Sequence, residues 1–423
     1  MIHTKSMKRI CHLKHLLFWI SILTLTTVSL LIMYHTKFIS NIYENNFTRQ
    51  IIWFTIGYAI LSLSKIIPSN KVFKYSKYLY VVGIMLLIMV LMIGKSINGS
   101  RAWISIGFIS FQPSELMKLF YTCYLSYFIT INKTFNLKEE ILLIIKIGIL
   151  FLVPAILIFL EPDTGAIIYL FIITISSLYN SSIRKRYILL LTFFIIIFTF
   201  SIAYLYVNSQ DLLIKYLGTS MFYRIERLLE FKSGMQIENA LTAIGNAPLY
   251  SFNLTNVGVY IPESATDFVF ALSFNIFGII GAVIIFVAYL ILDLYLLSYI
   301  QKISKKEYRY FGYSFLSLLI VNEFINIAMN LGLMPIIGIP LPLISYGGSS
   351  TITLFMFLTI IFSNTNGKDN SKSKNNWHKG KDRSMVKNLE VQHYKWVLDE
   401  LVPLPLPQLM LPLKREIQTD HHY

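Results

Sequence analysis

The chain has 423 residues, of which 55% are hydrophobic and 14% charged, with a net charge of +15. A soluble domain carries about 25% charged residues, so this composition excludes a soluble globular protein and describes a multi-pass membrane protein whose helices satisfy their own backbone hydrogen bonds. The basic balance implies no nucleic acid, because cytoplasmic loops carry an excess of Lys and Arg, and two cysteines, Cys11 and Cys123, give neither a disulfide framework nor a Cys/His metal cluster.

In chain order, a basic N-terminal region (Lys5, Lys8, Arg9, Lys14) precedes an apolar run at 16–34. The run is long enough to span and lacks a small-x-small cleavage site, so it reads as a retained first helix. Nine further apolar runs follow near 48–66, 77–94, 114–132, 141–160, 164–179, 187–207, 268–299, 310–334 and 349–363. The fold class is therefore all-α, a polytopic bundle of about ten transmembrane helices over residues 1–363. Basic clusters at Lys65, Lys71, Lys74 and Lys77, at Arg184, Lys185 and Arg186, and at Lys302, Lys305, Lys306 and Arg309 fall on one side with the basic N-terminus. That side is cytoplasmic, as are both termini. Segments 95–113, 161–163, 208–267 and 335–347 then face outward. Chemistry on that face disfavours nucleotide donors, which are cytoplasmic, and the chain has no GxxxxGK[ST] phosphate loop. No nucleotide cofactor is implied. From Asn364 the chain turns polar, basic and of low complexity, which reads as a disordered cytoplasmic tail over 364–423. Within it, VPLPLPQLMLPL reads as polyproline II.

The outer segments carry the polar chemistry. In NGSRAWISIGFISFQPSELMK, 98–118, Asn98-Gly99 gives a turn and Trp103 suits the membrane interface. Pro113 can start a helix, on which Glu115 and Lys118 share a face three residues apart and can pair. Such a pair is either a bundle clamp or part of a polar substrate cavity. In LEPDTGA, Pro162 starts a helix and Asp163 sits in its positive first turn as a capping acid. The large outer loop, 208–267, contains MFYRIERLLEF, 221–231, an amphipathic helix that lies in the interface and can bring Arg224 and Arg227 to headgroup phosphate. The loop ends in YIPESATDFVF, 260–270, and the next apolar run begins at Phe268. Asp267 therefore stands at the mouth of a membrane helix, as a helix cap or as a functional acid.

Asn322, Asn326 and Asn330 recur every four residues with Glu323 beside them, a stripe that must face the bundle interior or a cavity. In GLMPIIGIPLPLISYGGSS, 332–350, three prolines forbid a helix. Irregular backbone at membrane depth is tolerated only where it is buried in protein or lines a cavity. The turn from Ser345 through Gly347 and Gly348 then presents N–H groups at a helix start, an anion site.

These strings, NGSRAWI…FQPSELMK, EPDTGA, IPESATDFVFA and NIAMNLGLMPIIGIPLPLISYGGSS, resemble the SEDS family, the RodA/FtsW/SpoVE proteins of shape, division and sporulation, over about residues 10–363. The resemblance implies a peptidoglycan glycosyltransferase that polymerises lipid II at the outer membrane face beside a class B penicillin-binding protein. Asp267 matches the family's essential acid, with a role as general base or electrostatic partner of the acceptor hydroxyl. A pyrophosphate leaving group needs positive charge, from Arg101, Arg224, Arg227 or a divalent cation, Mg or Mn. Glu115 and Lys118 match a pair bordering the family's cavity, where Trp103, Ser345, Gly347 and Gly348 are further substrate contacts. Gln112, Asp163, Glu263 and Glu323 stand as supporting residues, and Asp267, Glu263 and Asp163 are metal candidates only if folding brings them together. The sequence departs from the family pattern at Ala265, at Asn275 and Ile276 where acids are usual, and at AIGNAPLYS, 243–251. These departures fall around the expected active site. Two other classes compete with the enzyme, a lipid II flippase and a non-catalytic scaffold for the transpeptidase.

Overall fold

The structure, a computed structural model, describes residues 2–366 apart from 67–68, 98–99, 107–108, 135, 220–221 and 223–233. The Asn98-Gly99 turn, the helix bearing Arg224 and Arg227, and the tail from 367 lie outside the described residues.

Each of the ten apolar runs is a helix. They are α1 (Ile2–Ile39), α2 (Asn46–Ser62), α4 (Ser76–Ile93), α5 (Pro113–Ile131), α6 (Leu137–Leu160), α7 (Thr164–Asn180), α8 (Lys185–Asn208), α11 (Val269–Ile300), α12 (Lys306–Asn330) and α13 (Gly348–Phe362). Short α3 (Ser69–Lys74), α9 (Gln210–Leu217) and α10 (Met235–Gly245) lie between them. Among the described residues, five helices, α1, α4, α6, α11 and α12, are long and apolar enough to cross a membrane, whereas α7 and α13 are apolar but shorter. Helix α1 extends past its apolar run in both directions, since no Gly or Pro occurs between Ile2 and Ile39. Helix α12 packs against α5, α7 and α11, which makes it the shared wall of the bundle.

The all-α bundle holds, and the first outer segment adds one short sheet to it. Lys95–Ile97 (β1), Ser100–Ile106 (β2) and Ile109–Phe111 (β3) form a three-stranded antiparallel sheet with Lys95 opposite Trp103 and Ile104 opposite Phe111. The period of two explains it. Ala102 and Ile104 are buried on one face, while Arg101, Trp103 and Ser105 share the other. The sheet delivers the chain to Pro113, the first residue of α5, with Gln112 as the residue before the helix.

Helix α11 is interrupted at Gly278, whose φ of 69° lies in the left-handed region that favours glycine. The break lets the 248–253 loop close on the helix. Ser251 N–H donates to Phe277 O, Asn253 N–H to Ile276 O, and Ile279 and Ile280 N–H to Pro248 O and Leu249 O. A Cβ on Gly278 would stand 2.5 Å from Pro248 O. Outside the membrane helices, α10 buries Ile237, Ala240 and Ala243 against Ile261, Phe268 and Ala271. This contact seats the 261–271 stretch on the bundle.

Candidate active site

The Asp267 segment is shaped by its own backbone. Glu263 takes a left-handed φ of 53°, and its carbonyl accepts the N–H groups of Thr266, Asp267 and Phe268 at 3.1 Å each. A non-glycine residue in this region costs about 1–2 kcal/mol, which three hydrogen bonds at one carbonyl offset. The Glu263 carboxylate turns back onto this turn and accepts from Thr266 Oγ1 at 3.1 Å.

From the other side the Asn stripe takes hold. Asn326 Nδ2 and Asn330 Nδ2 donate to the Asp267 carbonyl at 2.9 and 3.0 Å. Asn326 Nδ2 also donates to Ile339 O at 2.7 Å, and Asn330 Oδ1 accepts from Ala271 N–H at 2.9 Å. The stripe thus serves the backbone of two broken segments, 261–271 and 331–347, whose carbonyls could not otherwise be satisfied at membrane depth. The third Asn, Asn322, lines a separate inner chamber of about 40 Å3.

Beside Asp267 lies a cavity of about 180 Å3. Its walls include Thr266 and Asp267, Trp103 of β2, Gln112 and Glu115, Asp163 and Tyr169, and Gly338, Gly347, Ser349 and Ser350. Gly338 has a φ of 72°, and a Cβ there would stand 3.7 Å from Asp267 Oδ2, so glycine lets the 335–347 backbone turn beside the acid. Burial, reinforced by the negative charge of Glu263, pushes the Asp267 carboxyl up to about 7. Among the described residues no hydrogen-bond donor engages that carboxyl. Glu161, buried in the turn before α7 and not singled out from the sequence, is pushed up to about 8 by burial and by the charge of Asp163.

The remaining sequence candidates divide. Asp163 is the cap of α7, accepting from Ala166 N–H at 3.1 Å. Its other carboxylate oxygen accepts from Gln112 Nε2 at 2.8 Å and Ser114 Oγ at 3.1 Å, so cap and cavity wall are one residue. Pro162 precedes α7 rather than starting it. Glu115 and Lys118 pair at 2.7 Å in a nearly buried bridge. Glu115 borders both chambers, but Lys118 lines only the inner one, its ammonium 3.9 Å from the centre of the Tyr169 ring. Arg101 is exposed and stands outside the cavity wall, on the strand face of half-buried Trp103.

Three placements differ from expectation. Ser345 Oγ donates to Thr266 O at 2.5 Å and accepts from Leu341 N–H at 2.8 Å, while Tyr346 N–H donates to Ala265 O at 2.8 Å. Ser345 is therefore a strut between the two irregular segments and not an anion contact. Gly347 lines the cavity, but Gly348 lies against Trp53, where a Cβ would stand 2.6 Å from the indole. Glu323 is buried outside this cavity and hydrogen-bonds Asp293 of α11.

The departures from the family pattern also move. Ala265 is buried in the core, and Asn275 Nδ2 donates to Val259 O at 3.1 Å. Ile276 and the 248–253 loop meet at the Gly278 break. None of these residues lines the Asp267 cavity. They rebuild its outer support, because a helix interrupted by Gly278 needs loop partners for the groups it frees.

A divalent cation held by protein ligands alone does not fit here. Glu115 is committed to Lys118 and Asp163 to three donors, and no group of three or more His, Cys, Asp or Glu able to hold a metal occurs among the described residues.

A family model for cell cycle proteins, FtsW/RodA/SpoVE, matches residues 15–369. The chain belongs to the FtsW/RodA/SpoVE family. It is 32% identical over 327 residues to a probable peptidoglycan glycosyltransferase FtsW of Wigglesworthia glossinidia brevipalpis, covering 74% of this chain and 82% of that one. It is 29% identical over 367 residues to the peptidoglycan glycosyltransferase MrdB of Helicobacter pylori, covering 84% and 91%. Among solved structures it resembles a chain of a peptidoglycan synthase complex that coordinates polymerization and crosslinking, with a TM-score of 0.66, 23% identity, and 82% and 96% coverage. The rod-shape-determining protein RodA of Thermus thermophilus matches with a TM-score of 0.58 and 22% identity over 82% of this chain and 95% of that one. The FtsW/RodA/SpoVE bundle is thus a multi-pass protein of the cytoplasmic membrane, as its composition indicates.

Proposed function

We infer that this protein is a peptidoglycan glycosyltransferase that polymerises lipid II into glycan strands at the outer face of the cytoplasmic membrane. The glycosyltransferase activity follows from family membership and from relatives of that name matched over more than four fifths of their length. Lipid II as substrate, and the roles of individual residues, are our reading.

The observation that carries the reading is Asp267. Its main chain is held by two amides of α12, and its carboxyl faces a cavity with a proton affinity near neutrality. A base works best when its pKa lies near the working pH. In the proposed step, the acceptor hydroxyl oxygen attacks the anomeric carbon of the donor sugar. The bond from that carbon to the pyrophosphate oxygen breaks, and the hydroxyl proton passes to Asp267. The pyrophosphate leaves with the electron pair. Because no Lys or Arg lines the cavity among the described residues, the pyrophosphate lies outside it, toward Arg101. Arg224 and Arg227 remain candidates for the same contact. A divalent cation enters only as a companion of the substrate's pyrophosphate.

We further propose a class B penicillin-binding protein as partner, in keeping with the synthase complex whose chain shares this fold. The test is glycan synthesis by the purified protein with lipid II, wild type beside Asp267→Ala, with and without the transpeptidase. Glycan ladders from wild type alone support the reading. No product from a folded protein that binds its transpeptidase would replace it with the scaffold.

A further inference from the structure

Tyr169 sits one turn and a half below the Asp163 cap, in the middle of an apolar stretch. Only 3% of it is exposed, and its hydroxyl has no hydrogen-bond partner among the described residues. A buried hydroxyl with no partner loses its water without compensation, and phenylalanine would fill the same space without that cost. The ring is fixed from behind by the Lys118 ammonium. The side chain forms the partition between the 180 Å3 cavity and the inner chamber, and its hydroxyl lies in the field of Glu115, Asp163 and Asp267.

The cavity's chemistry says what the hydroxyl is for. Its charged groups are all acids among the described residues, and its other donors, such as Trp103, Gln112 and Ser350, are neutral. Carboxylates that accept from hydroxyls, neutral donors that give to hydroxyl oxygens, and an indole wall suit a sugar ring. They do not suit a phosphate. Of the three carboxylates, two are already engaged, and Asp267 is left to receive a hydroxyl proton. A sugar hydroxyl that donates to Asp267 needs a donor to its own oxygen.

We propose that Tyr169 is a substrate-binding residue, whose hydroxyl donates a hydrogen bond to an oxygen of the sugar lodged beside Asp267. The assignment of that sugar to lipid II rests on the glycosyltransferase reading.

The decisive variant is Tyr169→Phe, which keeps the ring on Lys118 and removes one oxygen. Three measurements read it. In polymerisation, kcat/KM falls about tenfold, the loss of one hydrogen bond, while the melting temperature does not fall and rises if anything, because a buried unpaired hydroxyl is removed. In nanodiscs, binding of lipid II to the Asp267→Asn protein weakens by a similar factor when Tyr169→Phe is added. Binding of undecaprenyl pyrophosphate, which has no sugar, is the same with and without the hydroxyl. Unchanged lipid II binding by the double variant overturns the inference, as does an equal loss for the sugarless lipid. A fall in activity accompanied by a lower melting temperature and unaltered binding also overturns it, as a packing effect. Should wild type make no glycan at all, the polymerase reading fails, while the two binding measurements still decide the role of Tyr169.

Discussion

Two aspartates line one cavity and are held in opposite ways. Asp163 is held by its side chain, whose oxygens accept from Gln112, Ser114 and the Ala166 N–H. Asp267 is held by its main chain, through Asn326 and Asn330, and among the described residues its carboxyl has no donor. The same residue type is thus a finished structural joint at one wall and an unfinished acid at the other. A buried carboxylate deprived of donors has raised proton affinity, as Asp267 does. Glu115 shows the third solution, a direct cation at 2.7 Å.

The largest effect that could break this contrast is catalytic. Asp267→Ala should lower glycan synthesis by about 100-fold or more, the scale of a lost general base, with no loss of thermal stability. If Asp163→Ala abolishes synthesis equally without destabilising the protein, the two acids are not different in kind. Next in size is Lys118→Met, which strands the Glu115 charge and should cost about 3–5 kcal/mol, read from thermal or denaturant unfolding in detergent. Adding Glu115→Gln should recover part of it.

Asp163→Ala should cost about 1–3 kcal/mol for a charged acceptor of several bonds. The smallest effect is set by pH. Because the Asp267 carboxyl is pushed up to about 7, activity should rise between pH 6 and pH 8 with its midpoint near 7, as the carboxylate forms. The same shift runs against stability. The folded state holds this proton more tightly than the unfolded chain, so the contribution is full below about pH 4 and lost as pH rises through 7. Asp267→Asn should therefore match wild type near pH 4 and exceed it at pH 8. After discounting for solvent at the cavity the gain is on the order of 1–2 kcal/mol. A melting-temperature series across that range measures it, and a gap independent of pH would remove the titrating acid from the account.

Features set by local spacing were legible in the sequence. The ten helices follow from apolar runs, the α5 start from Pro113, the cap from Asp163, and the Glu115–Lys118 bridge from an i, i+3 interval. Position alone also singled out Asp267, at the border of loop and helix. Features whose partner lies far along the chain were not legible. Ser345 contacts Thr266 across 79 residues, and nothing near Ser345 announces it. The Asn stripe was visible as a pattern, but its targets, the carbonyls of Asp267 and Ile339, belong to other segments. Tyr169 was hidden inside a hydrophobic run, although a helical wheel places it on the face of Gly165 and Ala166. The outer sheet was missed for a different reason. Its alternation of Arg101, Trp103 and Ser105 with Ala102 and Ile104 is in plain view, but strands this short carry too little periodicity to stand out between membrane helices.

The two amides on the Asp267 carbonyl have a consequence for how such a protein can diversify. They come from α12, and the loop's outer part contributes neither of them. The position of the acid is inherited from the bundle, so the loop between α10 and Ile261 can lengthen, shorten or change character through descent while α10 keeps its seat on Ile261, Phe268 and Ala271. The departure from the family pattern at AIGNAPLYS, 243–251, falls mostly in that loop and leaves the acid in place.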